Sequence, residues 1–126
     1  KRQGYQLALA VVASAFEERR KQIDESDLKD FFDIIRIGPL TKEQIWDPTF
    51  KGKDALYDKI MHELNFQPRD VIIIDDRMVR GIRYANEHGH PSIWIRRGKF
   101  AHELPNGQTG QPTYTITKIA QLKTIL

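Results

Sequence analysis

The chain has 126 residues, of which 40% are hydrophobic and 29% are charged, a composition typical of one folded domain and not of a disordered or membrane protein. Its 20 basic and 17 acidic residues give a net charge of +3, a mild excess that favours a solvated surface over a nucleic-acid-binding one. The sequence contains no cysteine, which excludes disulfides, thiolate metal sites and cysteine nucleophiles. We expect a cytoplasmic protein whose partner is neither a membrane nor a nucleic acid.

The amino-terminal half of the sequence predicts two strands and two helices. The predicted elements are a strand, a helix, a second strand, a loop and a second helix, over residues 5–13, 15–25, 34–37, 41–50 and 53–64. The first strand is a nearly continuous apolar run, which is typical of a strand buried on both faces. Ser14 follows it as a candidate N-cap of the first helix. The second helix places its apolar side chains on one stripe about 140° wide.

The carboxyl-terminal half continues this alternation. The predicted elements are a strand, a helix, a strand, a long loop, a short strand and a final helix, over residues 71–74, 78–85, 92–95, 98–112, 114–116 and 117–126. Beside the first of these helices, Arg77, Arg80 and Arg83 lie away from the apolar face, which predicts a solvated side. The long loop holds three glycines and two prolines, so we expect it to be among the most mobile parts of the chain.

Buried strands that alternate with amphipathic helices predict an α/β fold, in which a doubly wound parallel sheet carries helices on both faces. We expect residues 1–126 to form one such domain. In open α/β sheets ligands bind outside the carboxyl ends of the strands, so the residues at those ends are the candidates for chemistry. The strand over residues 92–95, for example, runs into Arg96, Arg97 and Gly98 at this edge.

Three further features fall at the predicted carboxyl edge. Ser14 follows the first strand, Lys51 precedes a helix, and the pair Asp75-Asp76 follows the strand over residues 71–74. A lysine neutralises phosphoryl charge, and carboxylates hold a hard cation such as Mg²⁺ through oxygen ligands. The sequence therefore predicts phosphate binding by Ser14 and Lys51, and Mg²⁺ binding by the acid pair. The alternative for the acid pair is a strand-to-helix turn in which Asp76 is the N-cap.

Three segments resemble motifs of the haloacid dehalogenase-like (HAD) hydrolase superfamily, over about residues 3–126. GYQLALAVVAS resembles the second motif, a phosphate-binding strand that ends in Thr or Ser, and FKGKDALYDKIMHEL resembles the third, where a lysine opens a helix. NFQPRDVIIIDDRMVRGIRYANEHGHPSIWI resembles the fourth motif in its DD form. The resemblance implies a Rossmann-type HAD core in which Asp75 and Asp76 hold Mg²⁺. It also implies that Lys51 orients the nucleophile and neutralises phosphoryl oxygens, and that Ser14 hydrogen-bonds a phosphate oxygen.

The sequence departs from the family pattern in two places. A common alignment of the second motif places its hydroxyl at Val11, which has none, so Ser14 has that role only if the strand is longer. The first motif, DxDx[TV], which supplies the nucleophilic and acid/base aspartates of the family, does not occur in these residues. In the family it lies upstream of the segment KRQGY, and the chain starts with neither an initiator Met nor an apolar signal segment. We therefore expect an upstream segment, and a sheet that lacks its first central strand here.

These features support two hypotheses from different classes. In the first, the full protein is a Mg²⁺-dependent phosphohydrolase that acts on a small phosphorylated substrate through an aspartyl-phosphate, with the nucleophilic Asp upstream of this chain. In the second, the chain is a catalytically inactive HAD-fold module for binding or assembly. An upstream strand that ends in DxDx[TV] would favour the enzyme. A phosphoacceptor receiver domain is excluded, because no Asp follows Asp76 to serve as the acceptor.

Overall fold

The structure is a computed structural model that describes residues 5–126, apart from the side chains of Leu28 and Phe31. Residues 1–4, where the resemblance to the second motif begins, lie outside the described part. Among the helices of the described residues, none is both long enough and apolar enough to cross a membrane.

The chain divides into two compact units, Lys1–Asn65 and Phe66–Leu126. Each unit contains a parallel sheet together with helical segments, so the predicted α/β class with parallel strands is confirmed. The described strands form two separate sheets, one of two strands and one of three. That residues 1–126 form one core domain stays a prediction.

The first unit consists of two parallel strands with helices packed on them. Its elements are β1 (Ala8–Ala13), α1 (Phe16–Glu25), a 3-10 turn (Asp27–Phe31), β2 (Ile34–Pro39), α2 (Lys42–Ile45) and α3 (Gly52–Leu64). The two strands pair in register from Ala8 opposite Ile34 to Ala13 opposite Pro39. Both α1 and α3 contact both strands, and the buried residues Tyr57 and Ile60 lie on α3. The apolar stripe predicted for this helix therefore faces the core.

Two local predictions in the first unit were wrong. The N-cap of α1 is Ala15, which makes no side-chain capping bond, so Ser14 does not cap this helix. Residues 41–50, predicted as loop, contain α2, which begins with a capping box. The Thr41 hydroxyl oxygen accepts from the Gln44 backbone N–H at 3.2 Å, and the Gln44 side chain accepts from the Thr41 N–H at 2.7 Å. A helix of four residues is too short to produce a hydrophobic period.

The second unit is a three-stranded parallel sheet in the order β3-β4-β5. Its elements are a 3-10 turn (Pro68–Asp70), β3 (Ile73–Asp75), a π-helical turn (Met78–Ile82), α4 (Arg83–His88), β4 (Ser92–Ile95), a 3-10 turn (Gly98–Phe100), β5 (Tyr114–Ile116), a 3-10 turn (Ile119–Gln121) and α5 (Leu122–Ile125). Met78, Ile82 and Trp94 form a buried cluster that joins the π turn to β4. Along β3, Ile73 is buried while Ile74 is exposed, so the strand presents alternate faces.

The prediction that Arg77, Arg80 and Arg83 form a solvated side was wrong, because all three are buried. For Arg80 and Arg83 the prediction assumed an α-helix, but the segment begins with a π turn, whose bonds run to the fifth residue and so change the rotational register. Arg77 precedes this turn and is buried in its ion pair with Glu103. The Arg83 guanidinium donates to the Val79 carbonyl at 2.9 Å and pairs with Glu87 at 2.9 Å. These contacts supply the partners that a buried guanidinium requires.

We predict that Ile82→Ala lowers the free energy of unfolding by about 2–5 kcal/mol, because Ile82 is fully buried and its truncation leaves a cavity. The matched control is Ile74→Ala, at a 40% exposed position, with an expected loss below about 1 kcal/mol. Urea denaturation followed by circular dichroism measures both. Equal losses for the two variants would contradict this description of the core.

Candidate functional site

The acid pair lies at the carboxyl end of β3, as the sequence predicts, but its two members differ in their surroundings. Asp75 is the last residue of β3, opposite Trp94 on β4, and it is buried. Asp76, the next residue, is exposed. The Asp75 side chain is therefore shielded from solvent, and Asp76 is not.

The Asp75 carboxylate is engaged by three backbone N–H groups of the turn that follows it. Its Oδ1 accepts from Asp76 at 2.8 Å and from Arg77 at 3.3 Å, and its Oδ2 accepts from Gly81 at 2.8 Å. The first N–H groups of a helix have no partner within the helix, so a carboxylate placed there stabilises it. Arg77 is the N-cap residue of the turn, so Asp76 does not cap it, and the Gly81 N–H inside the turn is bonded to Asp75 instead.

Only a glycine fits at position 81, because a side chain there would collide with Asp75. A Cβ atom added to Gly81 would lie 2.5 Å from the Asp75 Cβ and 2.8 Å from its Cγ, and it would overlap the carboxylate Oδ2. Distances under 3.0 Å do not occur for real Cβ atoms, so any side chain would displace Asp75. An isolated glycine inside a helical pattern often has a packing reason, so the glycine at position 81 is the sequence feature that could have indicated this close contact.

The backbone of Asp76 is held on both sides while its carboxylate is exposed. Its N–H donates to the Asp75 Oδ1, and its carbonyl accepts from the indole Nε1 of Trp94 at 3.0 Å. Trp94 is 2% exposed and packs in the core cluster, so this bond ties the end of β3 to β4. Asp76 thus combines a fixed main chain with a side chain that solvent reaches.

Arg77 connects the acid pair to the loop that follows β4. Its guanidinium Nη2 lies 2.6 Å from Glu103 Oε2, and its Nε lies 3.1 Å from the same oxygen. The pair is largely buried, with side chains 6% and 14% exposed. The same guanidinium lies 3.8 Å above the ring of Phe100. Sequence reasoning missed this pair because Glu103 is 26 residues away along the chain.

A second buried cation, Arg80, lies within the same group of charges. Burial lowers the pKa of Arg80 below its usual range, and the positive charge of Arg77 lowers it further. The negative charges of Asp75, Glu103 and Asp76 act in the opposite direction. Two arginines and three carboxylates therefore interact at the end of β3.

Several contacts with the rest of the second unit restrain the loop over residues 98–112. Its glycine and proline content did not predict these contacts. Near its start, Glu103 pairs with Arg77. Near its end, the Asn86 side-chain amide donates to the carbonyls of Thr109 at 2.7 Å and Gln111 at 3.1 Å. Phe100 and Thr109 are buried. The loop is therefore more constrained than a chain segment of this composition would be by itself.

The other two predicted site residues belong to the first unit. Ser14 is exposed and directly follows β1. Lys51 is exposed at the N-cap position of α3, and its carbonyl accepts from the Asp54 N–H at 3.0 Å. The ring of Phe50 occupies the space where a side chain at Gly52 would lie. That Ser14 and Lys51 group with the acid pair stays a prediction.

The candidate metal ligands predicted at the end of β3 are two carboxylates. Over residues 5–126, no three side chains of His, Cys, Asp or Glu come together as a ready-made metal site. At the end of β3, the Asp75 carboxylate is buried and bonded to three backbone N–H groups, whereas Asp76 is exposed. A single carboxylate can hold Mg²⁺ when water and substrate phosphate complete the coordination.

Comparison with known proteins identifies the family. A sequence model described as HAD-hydrolase-like matches residues 51–122, which is more than half of the chain. The chain belongs to the HAD-hydrolase-like family. The match includes Lys51 and the acid pair of this HAD chain, so it covers the segments that resemble the third and fourth motifs.

A curated relative of the HAD chain is the glyceraldehyde 3-phosphate phosphatase of Pyrococcus furiosus. The two sequences are 25% identical over 126 residues, which is the whole of this chain and 49% of the relative. The chain thus spans about half the length of the curated relative that it matches.

Three solved structures share the fold. The HAD-hydrolase YfnB from Bacillus subtilis, bound to magnesium, has a TM-score of 0.70 and 21% identity, with 98% of this chain and 50% of that chain covered. A HAD phosphatase from Thermococcus onnurineus has a TM-score of 0.68 and 18% identity, with 97% and 50% covered. A predicted phosphoglycolate phosphatase from Haemophilus somnus has a TM-score of 0.66 and 17% identity, with 98% and 51% covered.

We predict that Gly81→Ala lowers the free energy of unfolding by about 1–3 kcal/mol, because the added methyl group displaces the Asp75 carboxylate from its N–H donors. The control is Gly107→Ala, whose Cβ would meet no atom within 4 Å, with an expected change within about 0.5 kcal/mol. Chemical denaturation of both variants tests this. A Gly81→Ala variant as stable as the Gly107→Ala variant would show that Asp75 is not confined.

We predict strong coupling between Arg77 and Glu103. Each of Arg77→Met and Glu103→Met leaves a buried charge without its partner and costs about 3 kcal/mol, whereas the double variant costs less than the sum. The control cycle uses Arg36 and Glu63, an ion pair whose side chains are 37% and 32% exposed. There the coupling is expected below about 1 kcal/mol. Similar coupling energies in the two cycles would contradict the burial difference.

Proposed function

We propose that this protein, in its full length, is a Mg²⁺-dependent phosphohydrolase that acts on small phosphate esters through an aspartyl-phosphate. Support comes from the HAD-hydrolase-like family, from a curated relative named as a phosphatase, and from a structural neighbour bound to magnesium. The observation that carries the proposal is the exposed carboxylate of Asp76 on a fixed main chain at the carboxyl end of β3.

In this proposal Asp76 is the metal ligand and Asp75 positions it. Mg²⁺ commonly retains several waters and is bound by one or two carboxylates together with substrate phosphates, so the exposed Asp76 fits this chemistry. Asp75 instead accepts hydrogen bonds from three backbone N–H groups, and these bonds fix the main chain at Asp76. When bound, Mg²⁺ neutralises charge that develops on the phosphoryl oxygens. This assignment refines the sequence-based one, which gave both aspartates to the metal.

Two residues of the first unit have proposed roles toward the phosphate. Lys51 neutralises the phosphoryl oxygens and orients the nucleophile, and Ser14 donates its hydroxyl hydrogen to a phosphate oxygen. The exposure of both residues supports these roles. Lys51 also lies at the start of α3, a helix of 13 residues, where N–H groups and the helix dipole favour anions.

The proposed nucleophile is an aspartate upstream of Lys1 in the natural protein. Its carboxylate oxygen bonds to phosphorus while the bond from phosphorus to the ester oxygen breaks, and an acid/base aspartate of the same motif protonates the leaving alcohol. Water then cleaves the aspartyl-phosphate, which releases phosphate and restores the carboxylate. Among the described strands, β1 and β3 pair with one neighbour each, β2 and β4. Each therefore has an edge at which a further strand could pair, which supports an upstream strand.

We predict that Asp76→Ala in the full-length protein lowers Mg²⁺-dependent hydrolysis of an aryl phosphate by about a thousandfold or more, because the metal loses a ligand. The circular dichroism spectrum should not change, since the Asp76 side chain is exposed. The matched control is Asp70→Ala, an exposed aspartate in the turn before β3, at the opposite end of the same strand. Full activity in the Asp76 variant would remove this residue from the site.

The 126-residue chain alone is expected to hydrolyse no phosphate ester, because the nucleophile is supplied from upstream. Turnover by this chain would require one of its own residues to be the nucleophile. A full-length protein that folds, binds Mg²⁺ and yet shows no turnover would favour the alternative, an inactive HAD-fold module for binding or assembly.

A further inference from the structure

The asparagine-glycine pair at positions 106 and 107 lies in a tight turn of the long loop. The side-chain Oδ1 of Asn106 accepts from the backbone N–H groups of Gln108 at 2.8 Å and Thr109 at 2.9 Å. The Asn106 carbonyl accepts from the Gly110 N–H at 2.9 Å, and this bond closes the turn. Asparagine side chains commonly bond to the backbone of the following residues in turns. The side chain of Asn106 is therefore held in one orientation by its oxygen atom.

The nitrogen atoms of the same pair are not held. Among the described residues, none accepts a hydrogen bond from the Gly107 N–H or from the Asn106 Nδ2. Both residues are exposed, and a Cβ atom added at position 107 would meet no atom within 4 Å. The backbone nitrogen of Gly107 can therefore approach the side-chain carbon Cγ of Asn106 without breaking a hydrogen bond to another residue.

These contacts suit an attack of the main chain on the Asn106 side-chain amide. When the Gly107 nitrogen bonds to Cγ, negative charge develops on Oδ1, to which two backbone N–H groups already donate. Backbone N–H groups placed at a developing oxyanion lower the barrier to acyl transfer. The two reacting groups belong to neighbouring residues, so the reaction loses no entropy of association.

We propose that Asn106 is a site of spontaneous deamidation in the native protein, and that its conversion to isoaspartate releases the end of the long loop from α4. The Gly107 nitrogen loses its proton and bonds to Cγ, the bond from Cγ to Nδ2 breaks, and Nδ2 takes up a proton and leaves as ammonia. Water then opens the cyclic imide at one of its two carbonyl carbons, which gives aspartate or isoaspartate at position 106. The reaction consumes only water and does not depend on the proposed function.

The two products have different consequences for the turn. An aspartate at position 106 keeps the main chain, and its carboxylate can accept the same two N–H groups in charge-assisted bonds. Isoaspartate adds a methylene group to the main chain, so the bonds of the turn no longer fit. The turn includes the buried residue Thr109, whose carbonyl accepts from the Asn86 side-chain amide at 2.7 Å. We expect isoaspartate to break this contact with α4 and aspartate to keep it.

The other two asparagines of the chain, Asn65 and Asn86, are internal controls. Asn86 lies within α4, and its Nδ2, the atom that would leave, donates to two backbone carbonyls. The residue after it is Glu87, and the residue after Asn65 is Phe66. A side chain on the following residue hinders the approach of its backbone nitrogen, and only Asn106 is followed by glycine. Asn106 should therefore react first.

The test incubates the full-length protein at mildly alkaline pH and follows each asparagine by peptide mass spectrometry. The tryptic peptide over residues 100–118 contains Asn106 as its one asparagine. Asn106 should convert about tenfold faster than Asn65 or Asn86, and Gly107→Ala should slow its conversion about tenfold or more. The alanine variant should fold, because Gly107 has no positive φ and the space around it is open.

Two results would overturn the assignment of the site. The first is an equal rate at the three asparagines, or an unchanged rate at Asn106 in the Gly107→Ala variant. The second comes from the same protein unfolded in urea, where the bonds of the turn are lost. The folded protein should convert Asn106 at least as fast as the unfolded one, and a much slower rate in the folded protein would show that the turn protects Asn106.

Limited proteolysis tests the consequence for the loop. The isoaspartate form, separated by ion exchange and identified with an isoaspartyl methyltransferase, should be cleaved within residues 98–112 about tenfold faster than the unmodified protein. The matched control is Asn106→Asp, which has the same added charge on an unaltered main chain and should be cleaved at the unmodified rate. Equal cleavage of the isoaspartate form and this variant would show that the turn does not hold the loop.

Discussion

The buried carboxylate of Asp75 is the constraint on which the arrangement of the second unit depends. A buried charge without hydrogen-bond partners costs several kcal/mol, so the turn after β3 must bring N–H groups to it. Three of them do so, and the last is from Gly81, inside the π turn. The end of the strand and the start of the helix are therefore fixed by one side chain. The same arrangement fixes the main chain of Asp76 through its N–H and its carbonyl.

Around this carboxylate, charge and aromatic contacts support one another. Arg77 and Arg80 lie in a medium of low polarity, where their attraction to the acids is stronger than in water. The ring of Phe100 covers the guanidinium of Arg77, and Trp94 holds the carbonyl of Asp76. Charged groups whose positions are fixed in this way need little rearrangement when a ligand binds, and electrostatic catalysis in general depends on such preorganisation.

The sequence predicted those features that depend on local pattern. Apolar runs located the strands, and the position of two acids after such a run located the candidate site at the carboxyl end of β3. The difference in burial and hydrogen bonding between Asp75 and Asp76 could not be predicted, because it depends on the N–H of Gly81, six residues beyond Asp75. The burial of Arg77 depends on Glu103, which lies in a loop without regular pattern. A helical period calculated for an α-helix also failed at the π turn, where the periodicity itself is different.

The π turn makes the number of residues after the acid pair as important as their chemistry. The turn at Met78–Ile82 closes through bonds to the fifth residue and not the fourth, so it accommodates one residue more than an α-helical turn over nearly the same rotation. Loss of one residue here would restore an α-helical turn and leave Arg83 and Asn86 close to their present orientation toward Glu87 and the end of the long loop. The change would be concentrated in the turn itself, where the Gly81 N–H has to reach the Asp75 carboxylate.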